Sequence, residues 1–398
     1  MTAPLDGITV LDFTRVLSGP YCTMQLADMG ARVIKIEQPG KGDDTRAWGP
    51  PFVNGESAYF LSINRNKESL ALDLKHAGAG RVLDALLEKA DVVVENFRPG
   101  TMRRLGLGYE QLAARFPRLV YCSISGFGQT GPRTKEPGYD AVIQAEGGLM
   151  SITGDAGGQP FRLGVAISDI VSGMFAMQGI ALALFARERT GKGQLVDIGM
   201  LDATAALLTY QAGIYFATGR TPGRLGNRHP TIVPYETFAA SDGEFVIAVG
   251  NDEQWRRFCE AAELGPLSTD ERFSTNRGRV THYDTLRPLL GERLLARTRA
   301  EWVSRLRPAG VPCGAVRDVA EALEDPQLQA RGMIQELEHA VAGAMRVTGV
   351  PVKLSDTPGS VRTPPPTLGE HTARILSEDV GLGEADIVGL RAEGVITL

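Results

Sequence analysis

Ile8-Thr-Val-Leu-Asp-Phe13 and Arg32-Val-Ile-Lys-Ile36 are two short runs rich in β-branched residues, and Tyr21–Met29 between them suits a helix. Strand, helix and strand within about thirty residues form a βαβ unit, in which the two strands are parallel. The start of the chain therefore predicts an α/β fold built on a parallel sheet.

The alternation of strands and helices continues downstream. Further strands are predicted at Leu70–Lys75, Asp91–Glu95, Leu119–Ile124 and Leu195–Gly199, and Ala79–Lys89 has the apolar spacing of an amphipathic helix. The pattern indicates that the parallel sheet continues through the first part of the chain.

A change in composition predicts the domain limits. Residues 1–217 form the first part of the large domain. Residues 218–325 begin with a linker rich in Gly, Pro and Arg and continue as a smaller α+β domain, with a hairpin that turns at Asp242-Gly243. Residues 326–398 are expected to return to the large domain.

Composition excludes several classes of function. The chain has 398 residues, 43% of them apolar, and a net charge of −5, which argues against nucleic acid or an anionic membrane as the main partner. The most apolar run, Gly173–Ala186, is too short to span a bilayer and contains Gln178, so a soluble protein is expected.

The cysteines and histidines favour a cytoplasmic protein without a metal site. Four cysteines lie far apart and form no CxxC pair, so they are interpreted as free thiols in a reducing compartment. The five histidines are scattered as well, and no metal-binding cluster is expected.

Gly164-Val-Ala-Ile-Ser-Asp-Ile-Val-Ser-Gly173 places one carboxylate, Asp169, among apolar neighbours at the start of a long apolar helix. Such an acid is costly to bury unless it is paired, hydrogen-bonded or protonated. Two interpretations are open on local evidence. Ser168 or Asp169 caps the helix, which is the commoner case, or Asp169 is a desolvated nucleophile or base.

A nicotinamide cofactor is not expected. Glu37 follows the second strand, as a ribose-binding acid would, but the first turn has no GxGxxG. The match Gly126-Phe-Gly-Gln-Thr-Gly131 is followed at once by Pro132. Asn96 and Arg98 instead follow a strand, and ligands of open α/β sheets bind at the carboxyl ends of strands.

The order of motifs resembles one known family. The chain carries, in order, Pro4-Leu-Asp-Gly-Ile-Thr-Val-Leu-Asp-Phe13, Val33-Ile-Lys-Ile-Glu37, Val94-Glu-Asn-Phe-Arg-Pro-Gly100, Gly126-Phe-Gly-Gln-Thr-Gly131, Gly138-Tyr-Asp140, Ser168-Asp169 and Arg189-Thr-Gly-Lys-Gly-Gln194. Together these resemble the class III CoA-transferases, which include formyl-CoA transferase, carnitine CoA-transferase and dicarboxylate CoA-transferases. The resemblance extends to Leu368-Gly-Glu-His371.

The resemblance implies a fold, an assembly and a mechanism. It implies a homodimer of two chains interlocked like linked rings, each with a Rossmann-like large domain and a small domain. It also implies coenzyme A as co-substrate and no tightly bound cofactor. It assigns the nucleophile to Asp169, which would carry CoA as an aspartyl thioester between an acyl-CoA donor and a small carboxylic acid.

The resemblance also implies the binding residues. CoA contacts are assigned to Ser18, Gln38, Leu72, Lys75, Asn96, Phe97, Arg98, Arg104 and Tyr139, and substrate or lid positions to Trp48, Gly250 and Asn251. Gln38 departs from many relatives, which have Arg there. Arg46, Arg162 and Arg228 are candidates for binding the carboxylate of the acceptor.

Two alternatives to CoA transfer stay open. An α-methylacyl-CoA racemase would have the same fold, but such enzymes place His where this chain has Tyr139. Tyrosine titrates near pH 10 and suits neutral acid–base chemistry poorly. A catalytically silent acyl-CoA binder is the second alternative. Leu17 stands where the formyl-CoA branch has Gln, and the small-domain segments His229–Tyr235 and Val249–Gln254 favour a succinyl-CoA-type donor.

Overall fold

The structure is a computed structural model that describes residues 2–398. Its strands in chain order are β1 Thr9–Asp12, β2 Arg32–Glu37, β3 Phe52–Val53, β4 Glu56–Ser57, β5 Lys67–Ala71, β6 Val92–Glu95, β7 Val120–Ser125, β8 Leu195–Gly199, β9 Tyr235–Ala240, β10 Gly243–Ala248, β11 Cys313–Ala315, β12 Ile334–His339 and β13 Gly343–Thr348.

The helices in chain order are α1 Ser18–Asp28, α2 Ala58–Ile63, α3 Ala79–Lys89, α4 Thr101–Arg104, α5 Tyr109–Arg115, α6 Asp140–Glu146, α7 Leu149–Ile152, α8 Ile167–Thr190, α9 Met200–Ala206, α10 Thr209–Thr218, α11 Asp252–Ala261, α12 Gly265–Thr269, α13 Asn276–Thr281, α14 Tyr283–Leu294, α15 Arg299–Leu306, α16 Val319–Leu323, α17 Pro326–Ala330, α18 Thr372–Glu378 and α19 Glu384–Ala392. A short 3₁₀ helix covers Asp44–Ala47.

Six parallel strands form the central sheet in the order β5-β2-β1-β6-β7-β8. The predicted α/β class with a parallel sheet is confirmed. Strand β1 lies between β2 and β6. Strands β2 and β5 extend the sheet on one side of β1, and β6, β7 and β8 extend it on the other, so β1 and β6 border a topological switch point. Side chains at the carboxyl ends of these central strands therefore border a crevice, where ligands of such sheets bind.

Helices cover both faces of the sheet. Because successive side chains of a strand point to opposite faces, Val10 and Leu11 belong to different cores. Val10 packs in the core that contains residues of α1 and α8, and Leu11 packs in the core that contains residues of α3, α18 and α19. Burial on both faces explains why these strands are apolar throughout.

The described chain forms two compact units. One contains the residues up to Leu149 together with Leu163–Ala212 and Pro326–Leu398, and the other contains Met150–Arg162 and Gly213–Asp325. In the second unit, β9, β10 and β11 form an antiparallel sheet over a core that includes Trp255 and Trp302. The domain limits predicted from the sequence, 1–217, 218–325 and 326–398, concern parts that would fold independently, and they stay a prediction.

Several element boundaries differ from those expected. The strand expected at Leu70–Lys75 ends at Ala71, which leaves Leu72 and Lys75 in the loop after β5. The apolar stretch from Asp202 to Phe216, for which the sequence predicts one helix, is divided between α9 and α10, with Thr209 at a positive φ of 35°. The antiparallel pair β12–β13 was not expected.

Helix α8 has 24 residues and is long and apolar enough to cross a membrane by length and composition alone. The expectation that its apolar run is too short came from residues 173–186, whereas the helix extends further at both ends. In its most apolar window, 39% is buried within the structure, and the buried face contributes Ala176, Ile180 and Leu184 to a core of the sheet.

Candidate active site

Asp169 lies in the first turn of α8, beside the carboxyl ends of three strands. It lines a cavity of about 160 Å³ together with residues that follow β1, β6 and β7, such as Arg15, Asn96 and Gly126. The cavity therefore occupies the edge of the sheet at which ligands of α/β folds bind.

The beginning of α8 is capped by a residue from another helix. The N-cap position is Ala166, which has no side chain able to accept a hydrogen bond. Asp140, the first residue of α6, accepts a hydrogen bond from the Ser168 amide at 2.9 Å. The interpretation that Ser168 or Asp169 caps the helix is thus wrong, and the Asp169 carboxylate makes no capping hydrogen bond.

A close approach of two helices brings Ser18 to Asp169. Gly173 lies one turn after Asp169, and a Cβ atom at Gly173 would stand 2.6 Å from the Ser18 carbonyl oxygen. Only glycine permits this contact between α1 and α8. The Ser18 hydroxyl faces the Asp169 carboxylate in the cavity that both residues line and lowers the pKa of Asp169.

The surroundings raise the pKa of Asp169 to about 7. Desolvation by burial is the largest cause, the negative charge of Asp140 acts in the same direction, and the hydrogen bond from Ser18 acts in the opposite one. Burial and the charges of Asp169 and Asp140 also raise the pKa of Tyr59 to about 12, so Tyr59 is neutral beside them. Asp169 is thus a carboxyl group that changes charge near neutral pH.

A second cavity of about 250 Å³ adjoins the first and shares Arg15 and Phe97 with it. It lies over the carboxyl ends of β1, β2 and β5. Arg15 stacks its guanidinium 5.1 Å from the centre of the Phe97 ring. Together the two cavities form a groove that leads from exposed basic residues to Asp169.

The groove collects nine of the sequence-predicted positions. Ser18, Asn96, Phe97, Arg98 and Tyr139 line the cavity of Asp169. The adjoining cavity is lined by Gln38, Leu72, Lys75, Phe97 and Arg104.

Among the residues that the structure describes, those lining the groove do not include the three predicted substrate or lid residues. Trp48 is 41% exposed and packs edge-to-face on Tyr59. Gly250 and Asn251 belong to the second compact unit. There Asn251 caps α11 by accepting from the Gln254 amide at 2.8 Å.

Two predicted ligand-binding groups already have protein partners. The Asn96 carboxamide accepts from the Arg15 amide at 2.8 Å and donates to the Arg15 carbonyl oxygen at 2.7 Å. Arg46 donates to Glu37 at 2.7 Å and lies over the ring of Phe60. Arg46 thus holds a buried carboxylate of the fold, and Glu37, considered above as a ribose-binding acid, is occupied by that ion pair.

Sequence reasoning missed Arg15, and it named Asp140 only as the last residue of the motif Gly138-Tyr-Asp140. Arg15 follows the motif that ends at Phe13 and lines both cavities, but a single arginine in a loop carries no distinguishing pattern. Asp140 begins a helix directly after Gly138-Tyr139, and an acid at that position could have been identified as a helix-terminal residue.

The family model for CoA-transferase family III matches residues 5–372. The chain belongs to CoA-transferase family III. The resemblance read from the seven motifs is confirmed.

Individual family III members are similar along the whole length. Succinyl-CoA:glutarate CoA-transferase of Mus musculus is 42% identical over 393 residues, covering 99% of this chain and 90% of the relative. Acetyl-CoA:oxalate CoA-transferase of Acetobacter aceti is 46% identical over 378 residues, covering 94% and 95%. The crystal structure of a CAIB/BAIF family protein from Brucella suis is 42% identical, with a TM-score of 0.86 over 95% of this chain and 100% of that one.

Proposed function

We propose that this family III CoA-transferase moves CoA from a dicarboxylyl-CoA donor of the succinyl-CoA type to a small carboxylic acid, with Asp169 as the nucleophile. The observation that carries the proposal is the half-buried carboxylate of Asp169 at the inner end of the groove. Its pKa of about 7 leaves a large share ionised at neutral pH. Desolvation makes that ionised form more reactive than an exposed carboxylate.

The reaction consists of four substitutions at acyl carbons. The Asp169 carboxylate attacks the donor thioester, which forms a mixed anhydride and releases the CoA thiolate. The thiolate then attacks the Asp169 carbonyl carbon, which releases the donor acid and leaves an aspartyl-CoA thioester. The acceptor carboxylate attacks this thioester, and the released thiolate finally attacks the acceptor carbonyl carbon and regenerates Asp169.

Exclusion of water decides whether transfer or hydrolysis occurs, because both the anhydride and the thioester react with water. Apolar side chains pack around the start of α8 on one side, where Ala166 and Ile170 contact a buried cluster that contains Leu17. This packing limits the access of water to Asp169.

The adjoining cavity suits the nucleotide part of CoA. Lys75, in the loop after β5, and Arg104, the last residue of α4, both line it, and their charges can reach phosphate oxygens there. Gln38, in the place of an arginine of many relatives, supplies a neutral hydrogen-bonding group in the same cavity. We assign the contacts with the nucleotide part to these three residues together with Leu72 and Phe97, and contacts near the thioester to Ser18, Asn96, Arg98 and Tyr139.

Two donor–acceptor pairs are supported by the similar enzymes. The relative from Mus musculus is named for succinyl-CoA and glutarate, and this agrees with the segments of the small domain that favour a succinyl-CoA-type donor. The relative from Acetobacter aceti is named for acetyl-CoA and oxalate and is 46% identical. Acetyl-CoA with oxalate is therefore the second candidate, although Leu17 differs from the formyl-CoA branch.

A matrix of donors and acceptors tests the proposal. Succinyl-CoA and acetyl-CoA are each mixed with glutarate or oxalate, and new CoA esters are measured by liquid chromatography with the wild type and with Asp169→Ala. We expect transfer from succinyl-CoA to glutarate, and none with the variant. Hydroxylamine should modify Asp169 only when acyl-CoA is present, as detected by peptide mass spectrometry.

The outcomes separate the alternatives. Full activity of Asp169→Ala would refute the nucleophile, and transfer only from acetyl-CoA to oxalate would favour the second candidate. A racemase would exchange the α-proton of a 2-methylacyl-CoA for deuterium in D₂O. The exposed position of Tyr139, with 67% of its surface accessible, offers no desolvated base for that reaction.

We further propose an interlocked homodimer in the cytoplasm. Helix α8 exposes Met174, Leu182 and Phe185, of which Leu182 is 61% and Phe185 58% accessible. Exposed apolar residues on one helix support burial by a second chain, and four free cysteines support a reducing compartment. Light scattering should give the mass of two chains, and a single chain would contradict this assembly.

A further inference from the structure

The loop between β1 and α1 contains a strained residue. Val16 has a φ of 69°, in the left-handed region. This region is unfavourable for every residue with a Cβ atom and is rare for a β-branched one. Val16 lies two residues before Ser18, the residue whose hydroxyl contacts the Asp169 carboxylate. Something in the structure must hold the loop in this conformation.

A buried ion pair contacts the loop on the side of the sheet. Asp43 Oδ1 accepts a hydrogen bond from the Val16 amide at 3.2 Å, and Asp43 Oδ2 lies 2.9 Å from Lys35 Nζ. Lys35 Nζ also donates to the Thr14 carbonyl oxygen at 2.8 Å. Both charged side chains are completely buried. The pair therefore contacts the loop at two alternate residues, 14 and 16.

Further contacts fix the residues between and around these two. Asn96 binds the amide and the carbonyl oxygen of Arg15. Asp12 accepts from the Thr14 amide at 2.9 Å. Thr14, Arg15 and Val16 are thus each held by a polar side chain. Asp43 is the one that contacts the amide of the strained residue.

We propose that Asp43, itself held by Lys35, is a positioning residue that keeps Val16 left-handed and thereby holds the Ser18 hydroxyl against the Asp169 carboxylate. The inference rests on the proposed role of Asp169. Neither Asp43 nor Lys35 lines the Asp169 cavity, which the loop itself reaches, although Asp43 lines the adjoining cavity. The pair acts through Val16 and Ser18 on the geometry of the nucleophile.

The buried ion pair is not by itself evidence of added stability. A buried pair is often no more stabilising than apolar residues of similar size, because desolvation offsets the attraction between the charges. Lys35 and Asp43 belong to a larger buried set that also contains the Asp12–Lys67 pair, with Nζ 3.1 Å from Oδ2. Removing Lys35 and Asp43 together takes away one positive and one negative charge, so the double variant leaves no additional net buried charge.

A double-mutant cycle tests the positioning role. Asp43→Ala removes the contact with the Val16 amide, and Val16→Gly removes the steric cost of the left-handed conformation. We expect Asp43→Ala to lower kcat for CoA transfer about 5- to 30-fold, the factor that corresponds to the cost of one left-handed residue. Asp43 also lines the adjoining cavity, so the positioning role is measured by the recovery of kcat in the Val16→Gly background and not by the KM for acyl-CoA. In the Val16→Gly background, Asp43→Ala should lower kcat less than about threefold.

Equal losses in the two backgrounds, or an unchanged kcat in Asp43→Ala, would overturn the proposal. If Asp43→Ala folds poorly, Lys35→Met/Asp43→Ala removes both charges and takes its place in the cycle. Because Asp140 and Tyr59 also face Asp169, the pH profile of kcat is recorded too. Loss of the Ser18 hydrogen bond should move it to higher pH, and the Val16→Gly background should cancel most of that movement.

Crystal structures of the variants give a readout that does not depend on activity. In Asp43→Ala, Val16 should leave the left-handed region and the Ser18 hydroxyl should leave Asp169. Unchanged positions would overturn the positioning role. If the wild type transfers CoA to no acid, the proposed function fails, whereas these structures still decide whether Asp43 positions the loop.

Discussion

Asp140 accepts the amide of Ser168 at 2.9 Å and places its negative charge beside the next residue, Asp169. One carboxylate therefore does two things at the start of α8. It satisfies an amide that the helix leaves free, and it contributes to the raised pKa of Asp169. The first role needs an oxygen acceptor, and the second needs a charge, so a substitution can separate them.

Asp140→Asn should shift the pH dependence of CoA transfer. Under the proposed mechanism the ionised Asp169 carboxylate is the nucleophile, so kcat of the wild type should rise with pH through about 7 and then level off. Asparagine can still accept from the Ser168 amide but carries no charge, so the pKa of Asp169 should fall by roughly one unit. Profiles of kcat from pH 5 to 9 measure this. Glu146→Gln, at the other end of α6, should leave the profile in place.

The stability advantage of Asp169→Asn over the wild type should grow as the pH rises. The pKa of Asp169 is raised from 3.8 to about 7 by folding. Between these values the native state keeps a proton that the unfolded state has lost, so wild-type stability falls with pH. One unit of pKa corresponds to about 1.4 kcal/mol. The advantage of the variant should therefore be small near pH 4 and reach a few kcal/mol above pH 7.

Urea unfolding at fixed protein concentration, from pH 4 to pH 8, measures this difference. Asp84→Asn is the matched control, because the Asp84 side chain is 54% exposed. An Asp169→Asn advantage that stays constant across the range would show that the carboxyl titrates at its ordinary pKa.

Lys75→Ala/Arg104→Ala should weaken the binding of CoA esters without changing the chemical step. Both side chains line the cavity that adjoins Asp169, and a charge-assisted hydrogen bond contributes about 1.5–3 kcal/mol. We expect KM for acyl-CoA to rise at least about tenfold, and kcat to change little. Arg103→Ala removes a neighbouring arginine that does not line either cavity. An equal rise of KM in this control would refute the specific contact.

The sheet, the family and the position of Asp169 at the start of a long helix were accessible from the sequence, for a physical reason. Strands buried on both faces are apolar runs that stand out from their surroundings, and the order of seven short motifs is specific even where each one is weak. The motifs also led to the groove residues, because loops at the carboxyl ends of parallel strands must converge. Leu72 and Lys75 reach the groove only because β5 ends at Ala71.

The parts that the sequence did not reveal depend on contacts between distant residues. The capping of Ser168 by Asp140 joins two helices, and the contact of Asp43 with Val16 joins two loops. No local pattern encodes either contact. The break between α9 and α10 was missed for a related reason, since its apolar residues satisfy a continuous helical pattern.

Gly173→Ala should impair both stability and catalysis, because the new methyl group would stand 2.6 Å from the Ser18 carbonyl oxygen. The contact is to backbone, so α1 must move away from α8 and take the Ser18 hydroxyl with it. Overpacking of this kind costs about 1–3 kcal/mol. Gly389→Ala in α19 meets nothing within 4 Å, and alanine is the better helix former by about 1 kcal/mol. The midpoint temperature of thermal unfolding and kcat should thus fall for Gly173→Ala and stay unchanged or rise for Gly389→Ala. Equal behaviour of the two variants would show that the approach of α1 to α8 does not position Ser18.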